Sequence, residues 1–289
     1  MSDAGRPILY YALGGGLGHL VRARRTVRAL GLEREAGILT ASAFAGDQRV
    51  TGGLPVVRVP RGLEREPARV RELIAAQRPA ELIVDAFPLG ILGELDGLEG
   101  VRVRHVARRL RWEAYRRRFG RGRIRFAVSH VLEPLDEQHE RFLREHSDRV
   151  EPLDLGATIV PGRPRRAVPG PHWLVVHSGP HEEILEPVEH AREHQRAEGV
   201  AVPIVVVSPE RPAGLAEDVV WRDLHPVAPY FAHADRIFTA AGFNVIQETA
   251  PFRDRQHVVP FRRPLDDQSA RAARVRRERL ATAPRPAGA

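Results

Sequence analysis

Residues 7–30, PILYYALGGGLGHLVRARRTVRAL, decide the fold. The segment opens on a short apolar run at 7–13 and enters Gly14-Gly15-Gly16-Leu17-Gly18-His19. Residues 19–30 then carry helical patterning. A buried strand passing through glycines into a helix is the opening unit of a parallel α/β sheet. Glycines let the backbone turn sharply and approach a ligand, and the helix N-terminus that follows attracts negative charge. Working outward, further strand candidates lie at 37–41, 56–59, 82–86, 101–106 and 124–128. Helical patterns fall between several of them, as at 68–77 and 112–119. This alternation predicts a parallel sheet covered on both faces.

A proline- and arginine-rich stretch, VPGRPRRAVPGP at 160–171, interrupts the pattern and suits an extended linker. The alternation then restarts, with strands at 173–177, 204–207, 219–221, 236–239 and 257–259. Helices are expected at 187–197, 227–233, 244–250 and 267–280, and a disordered tail from 282. The expected division is 1–160, a linker at 161–171, and 172–289. The predicted fold class is α/β, two Rossmann-like domains facing a central cleft, with ligands at the strand carboxyl ends.

Composition narrows the chemistry. There is no cysteine, which excludes disulfides, thiolate metal sites and a cysteine nucleophile. Lysine is absent too, so all 45 cations are Arg. Schiff-base, P-loop and pyridoxal phosphate chemistry go with it. No apolar run approaches the roughly 20 residues of a membrane span, and the N-terminus carries no signal-peptide pattern. A cytoplasmic protein is expected.

In the first motif, Gly15, Gly16 and Gly18 form the ligand loop. A nicotinamide dinucleotide site would want G-x-G-x-x-G, yet His19 stands where the third glycine from Gly14 belongs. The second strand also lacks a terminal acid for a ribose. His19 falls at the first turn of the helix, at the mouth of the expected cleft. It reads either as a general base tuned to neutral pH or as a capping histidine. Val84-Asp85-Ala86-Phe87-Pro88-Leu89-Gly90 places an acid at the end of an apolar strand, on the same rim. Asp85 reads either as the carboxylate that orients His19 or as a helix cap.

The longest motif runs from Leu224-His225-Pro226 to Ala270. It holds Ala234-Asp235, the turn Ala240-Ala241-Gly242-Phe243-Asn244, then Glu248, Pro260-Phe261 and Asp266-Asp267-Gln268. In order and spacing it resembles the donor-binding half of two-domain (GT-B) glycosyltransferases. The resemblance is strongest to the family-28 group, which includes the enzyme that adds N-acetylglucosamine to lipid I in peptidoglycan synthesis. It extends to the N-terminal glycine loop with His19 and to Val176-His177-Ser178-Gly179-Pro180. The segment Asp85-Ala86-Phe87-Pro88 looks like a related subgroup of predicted glycosyltransferases. One departure is Arg271-Ala272, where the group usually has Asn-Ala.

The resemblance implies an inverting, metal-independent transfer of a hexose-type sugar from a nucleoside diphosphate sugar, with uridine favoured over thymidine. His19 and Asp85 would be catalytic. Gly179, Leu224, Gly242, Asn244, Glu248, Asp267 and Gln268 would bind the donor, Glu248 through the ribose hydroxyls. No cofactor and no metal are expected. A same-fold nucleotide-sugar epimerase and a non-catalytic binding protein for nucleotide sugars or anionic lipid are the competing readings.

The net charge of +8 concentrates between Arg102 and Arg125, where 11 arginines meet one acid, Glu113. Trp112, Tyr115 and Phe119 recur there at helical spacing, with Arg116, Arg117 and Arg118 on the other face. The helix reads either as a surface helix whose aromatics reach the core or as an acceptor or membrane surface. The acceptor would then be lipid-linked or anionic, with peripheral contact at the inner face of the membrane. No nucleic-acid module accompanies the arginines, so no nucleic-acid partner is expected.

Overall fold

Ile8–Ala12 (β1) is buried at every position, the signature of a strand covered on both faces. In this computed structural model, which describes residues 8–120, 122–156 and 165–282, it is the third strand of a seven-stranded sheet. The other strands are Ala36–Thr40 (β2), Val56–Arg58 (β3), Glu81–Asp85 (β4), Arg102–Ala107 (β5), Val128–Val131 (β6) and Val150–Pro152 (β7). Their order is β3-β2-β1-β4-β5-β6-β7, and every neighbouring pair is parallel. The crossovers carry helices Leu17–Ala29 (α1), Gln48–Thr51 (α2), Pro67–Ala76 (α3), Trp112–Phe119 (α4) and Glu137–His146 (α5). Strand order reverses between β1 and β4, so the loops leaving these two strands diverge and open a crevice at their carboxyl ends.

A second parallel sheet has the order β10-β9-β8-β11-β12. Its strands are Trp173–Val176 (β8), Ile204–Val207 (β9), Val220–Arg222 (β10), Arg236–Ala240 (β11) and Gln256–Val259 (β12). Helices His181–Glu198 (α6), Phe243–Glu248 (α7) and Gln268–Thr282 (α8) accompany them. The reversal falls here between β8 and β11. The chain divides into two compact units, Met1–Gly156 with Pro264–Asp266, and Ala157–Arg263 with Asp267–Ala289. Within the first, Leu110 pairs with Asp266 in an isolated antiparallel bridge, and Arg108 forms an ion pair with the Asp266 carboxylate. Part of the expected linker (161–164) and most of the expected tail lie outside the described residues.

Several elements differ from expectation for identifiable reasons. The strand expected at 124–128 is a loop, and β6 begins at Val128. Ile124 and Phe126 are buried, so a loop that inserts into the core carries the same apolar signal as a strand. Helix α6 starts at His181 and runs through Pro187, which sits inside it and not at its start. Its burial of Ile184, Val188 and Ala191 offsets the backbone bond that proline removes. Helix α7 stops at Glu248 and is followed by the 3-10 segment Ala250–Arg255. Pro251 has no N–H to continue an α-helix and disfavours helical backbone at Ala250. Helix α5, capped by the Asp136 carboxylate on the His139 N–H, was not anticipated, nor was β7.

Candidate functional site

The crevice of the first sheet brings His19 and Asp85 together. Asp85 is the last residue of β4, and His19 lies in the first turn of α1, which follows β1. His19 Nδ1 lies 2.6 Å from Asp85 Oδ2, with the histidine side chain 18% exposed and the carboxylate 1%. Two further groups that the sequence reading did not single out hold the same carboxylate. Arg22 donates through Nε to Oδ1 at 2.6 Å and through Nη2 to Oδ2 at 2.5 Å, and the Tyr10 hydroxyl donates to Oδ1 at 3.0 Å. Arg22 sits three residues after His19, on the same helical face.

Electrostatics follow from these contacts. Burial would raise the Asp85 carboxyl, but the Arg22 guanidinium and the His19 hydrogen bond outweigh it and hold it well below the usual carboxylate range. Burial lowers the His19 imidazole, against the opposing pull of Asp85. At neutral pH the pair is therefore a carboxylate beside a neutral imidazole. An Nδ1–H bonded to Asp85 leaves the lone pair on Nε2.

The backbone around the pair is constrained to match. A Cβ added to Gly14 would lie 2.2 Å from His19 Nε2, so the imidazole packs directly over that glycine. Gly15 and Gly16 have open space where a Cβ would stand. Gly16 caps α1 without any side-chain bond, and Gly18 lies within its first turn. Immediately after Asp85, Ala86 has φ +62°, and the Phe87 N–H donates to the Asp85 carbonyl at 2.7 Å. This is a γ-turn of the rare, strained hand. The Ala86 N–H bonds the Val106 carbonyl at 3.0 Å, and the Ala86 carbonyl lies 3.2 Å from His105 Nε2.

In the second unit the expected donor residues gather at strand carboxyl ends. Gly179 lies in the loop after β8, where a Cβ would meet His177 Nε2 at 2.5 Å. Gly242 caps α7 after β11 without a side-chain bond, Asn244 follows in the first turn, and half-buried Glu248 ends the helix. Leu224 lies apart from this switch point, in the loop after edge strand β10, packed on the core. Asp267 Oδ1 accepts from the Ala270 N–H at 3.1 Å, so Asp267 caps α8. Gln268 is 6% exposed and accepts from the Phe261 N–H at 3.0 Å, which ties its carbonyl to the exit of β12. Arg271, in the departing Arg-Ala pair, is 1% exposed and donates to the Ala241 carbonyl at 2.8 Å, propping the turn before Gly242 from beneath.

Beside that turn is an ionic cluster not foreseen as one. Arg263 grips both oxygens of Glu183, Glu183 Oε2 lies 3.1 Å from His177 Nε2, and His177 stacks on Phe261 at 5.0 Å. The hydrogen bond from Arg263 lowers the Glu183 carboxyl, and burial lowers the His177 imidazole.

Trp112 does not form a surface. It is 3% exposed and stacks on buried His139 at 4.0 Å and 6°, with Phe142 at 5.0 Å. Arg116 covers the Trp112 and Phe142 rings, while Arg117 and Arg118 are exposed. The neighbouring arginines are partly neutralised by acids distant in sequence: Arg102 and Arg104 by Glu81, Arg108 by Asp266, Arg125 by Asp148. No helix among the described residues is long and apolar enough to cross a membrane.

No family model and no curated protein matches the sequence. Solved structures do. The glycosyltransferase SsfS6 of Streptomyces sp. SF2575, whose structure has also been solved with thymidine diphosphate, has a TM-score of 0.55 and 14% identity over 94% of this chain and 86% of its own. Spinosyn rhamnosyltransferase SpnG has a TM-score of 0.55 and 15% identity over 93% of this chain and 83% of its own. The UDP-N-acetylglucosamine 2-epimerase of Rickettsia bellii has a TM-score of 0.53 and 10% identity over 84% of this chain and 76% of its own. At these identities the likeness is one of fold: two parallel-sheet α/β domains, as in glycosyltransferases of this architecture.

Proposed function

We propose that the chain is a glycosyltransferase that moves a hexose-type sugar from a nucleoside diphosphate sugar to an acceptor hydroxyl with inversion. The observation that carries this reading is the buried Arg22–Asp85–His19 relay on the glycine loop, which has no use in a passive binding protein. His19 Nε2 takes the proton from the acceptor hydroxyl as that oxygen attacks the anomeric carbon. Asp85 then stabilises the imidazolium, a role worth several orders of magnitude in related relays. The nucleoside diphosphate leaves against backbone N–H groups near Gly242 and Gly179, which asks for no metal at the phosphates. Glu248 holds the ribose hydroxyls. An anionic or lipid-linked acceptor, or an anionic membrane surface, would meet the exposed Arg117 and Arg118.

The motif order from Asp235 to Gln268 supports a uridine donor of the family-28 type. The thymidine diphosphate bound to SsfS6 makes the thymidine nucleotide the second arm of the test. Calorimetric titration with both diphosphates identifies the base. Glu248→Ala should weaken binding of the better one by about 1–3 kcal/mol. With a transferred substrate in hand, His19→Ala should lower kcat by about 10²–10⁴ and leave the donor Kd unchanged. A His19→Ala protein with wild-type turnover would remove the base from the scheme. The fold likeness to an epimerase supports a second reading. Epimerisation of a nucleotide sugar without any acceptor, followed by NMR, would replace transfer with that activity.

A further inference from the structure

Three histidines meet on a face of the second unit that the proposed chemistry does not use. His190 and His194 stand one turn apart on α6, and His257 is the second residue of edge strand β12. One ring nitrogen from each lies within 4.8 Å of the other two. The ring centroids are 4.3 Å apart for His194 and His257 and 4.9 Å for His190 and His194. His257 is 6% exposed, and its buried Nε2 makes no hydrogen bond. A polar atom stripped of water and left without a partner is an open debt in the fold, and a ligand at that nitrogen would settle it.

The outer ring nitrogens complete the picture. Nδ1 of His190 lies 3.7 Å from Glu193, and Nδ1 of His194 lies 3.8 Å from Glu198. These carboxylates stand on the Nδ1 side of each ring, beyond hydrogen-bond distance, on the side where acids back metal-holding histidines. A cavity of about 100 Å³, lined by His190, His257, Val275 and Arg279, adjoins the cluster. Arg279 reaches both His257 Nδ1 and the Gln256 carbonyl at 3.3 Å. When a cation takes Nε2, the His257 proton moves to Nδ1, and Arg279 keeps the carbonyl. Arg236 is paired with Glu198 at 3.3 Å, which leaves Arg276 and Arg279 as the cations lining the cavity.

We propose that His190, His194 and His257 form a three-histidine site for a divalent transition-metal cation of the zinc class. Three imidazoles are a donor set of that class, with water in the fourth position. His257 lies in the amino-terminal half of β12, whereas ligands of such sheets bind at carboxyl ends. The ion therefore acts as a cross-link between α6 and β12, outside the transfer chemistry.

The test uses the untagged full chain, stripped with a chelator and titrated with Co²⁺ and then Zn²⁺. The expected result is one metal per chain, visible Co²⁺ bands that Zn²⁺ abolishes, and a rise in Tm with Zn²⁺. His190→Ala/His194→Ala should lose the bands and the Tm rise, while His146→Ala keeps both. His190→Gln, at a 42% exposed side chain, checks the loss in a variant whose fold is least at risk. Binding that survives the double variant, or no stoichiometric binding by the wild type, overturns the site.

Discussion

His19 and Asp85 meet across 66 positions of sequence, and the neighbours with no chemistry of their own make the meeting possible. Gly14 is the clearest case. Gly14→Ala puts a methyl 2.2 Å from Nε2, so the imidazole must leave Asp85. Turnover should fall by about 10²–10⁴, as for loss of the base, with the circular dichroism spectrum unchanged. Unaltered turnover would show that this rotamer of His19 is not the working one. Arg22 is the other. Arg22→Leu leaves Asp85 buried without its cation, which should cost about 3–5 kcal/mol in urea unfolding. The guanidinium also lowers the His19 imidazole, so its loss should move the acidic limb of kcat/KM to higher pH. An unmoved limb would separate Arg22 from the base. Both members of the His19–Asp85 pair were legible in the sequence as neighbours on one rim because strand ends and glycine loops have a signature. Arg22 was not, because α1 also holds Arg24, Arg25 and Arg28, and choosing among them requires knowing which face meets β4.

At the scale of elements, α4 shows how a correct helix can carry an open meaning. The aromatic stripe was visible, and its residue limits match the sequence reading. Whether that stripe met core or lipid depended on α5, which the sequence reading lacked, and α5 supplies His139 and Phe142 against Trp112. Trp112→Ala should therefore cost about 3–5 kcal/mol, measured by denaturant unfolding. Arg116→Gln/Arg117→Gln/Arg118→Gln should change stability by only about 0.5 kcal/mol per site and lower sedimentation with anionic vesicles, not neutral ones. Equal sedimentation with both vesicle types would make the exposed arginines an ordinary solvated face. Pro187 teaches the converse, since a start signal lies inside α6 when enough apolar surface is buried around it.

For the whole molecule, the alternation of strands and helices was readable, but the strand order was not, because periodicity says nothing of which strands become neighbours. That order is what places β1 beside β4 and β8 beside β11. Charge behaves similarly. A window of sequence showed 11 arginines, and the fold supplies several of their acids from far along the chain. Buried neutral histidines give the molecule a pH dependence. Burial pushes His105 down to about 4 and His139 well below its ordinary value. Both gain protons on unfolding before they do in the native state, so stability is full above pH 6.5 and falls as pH drops toward 4. His105 alone accounts for about 3 kcal/mol over that window. Urea midpoints at successive pH values should show a shallower fall for His105→Phe, and parallel curves would exclude this histidine. The return of Pro264–Asp266 to the first unit bears on recombination. Arg108 is 5% exposed and takes its carboxylate from Asp266, so a gene cut after Gly156 encodes a half that lacks one of its own counterions. Chimaeras that exchange the two halves therefore need two further crossover points, on either side of those three residues, and a single junction yields a mismatched hybrid.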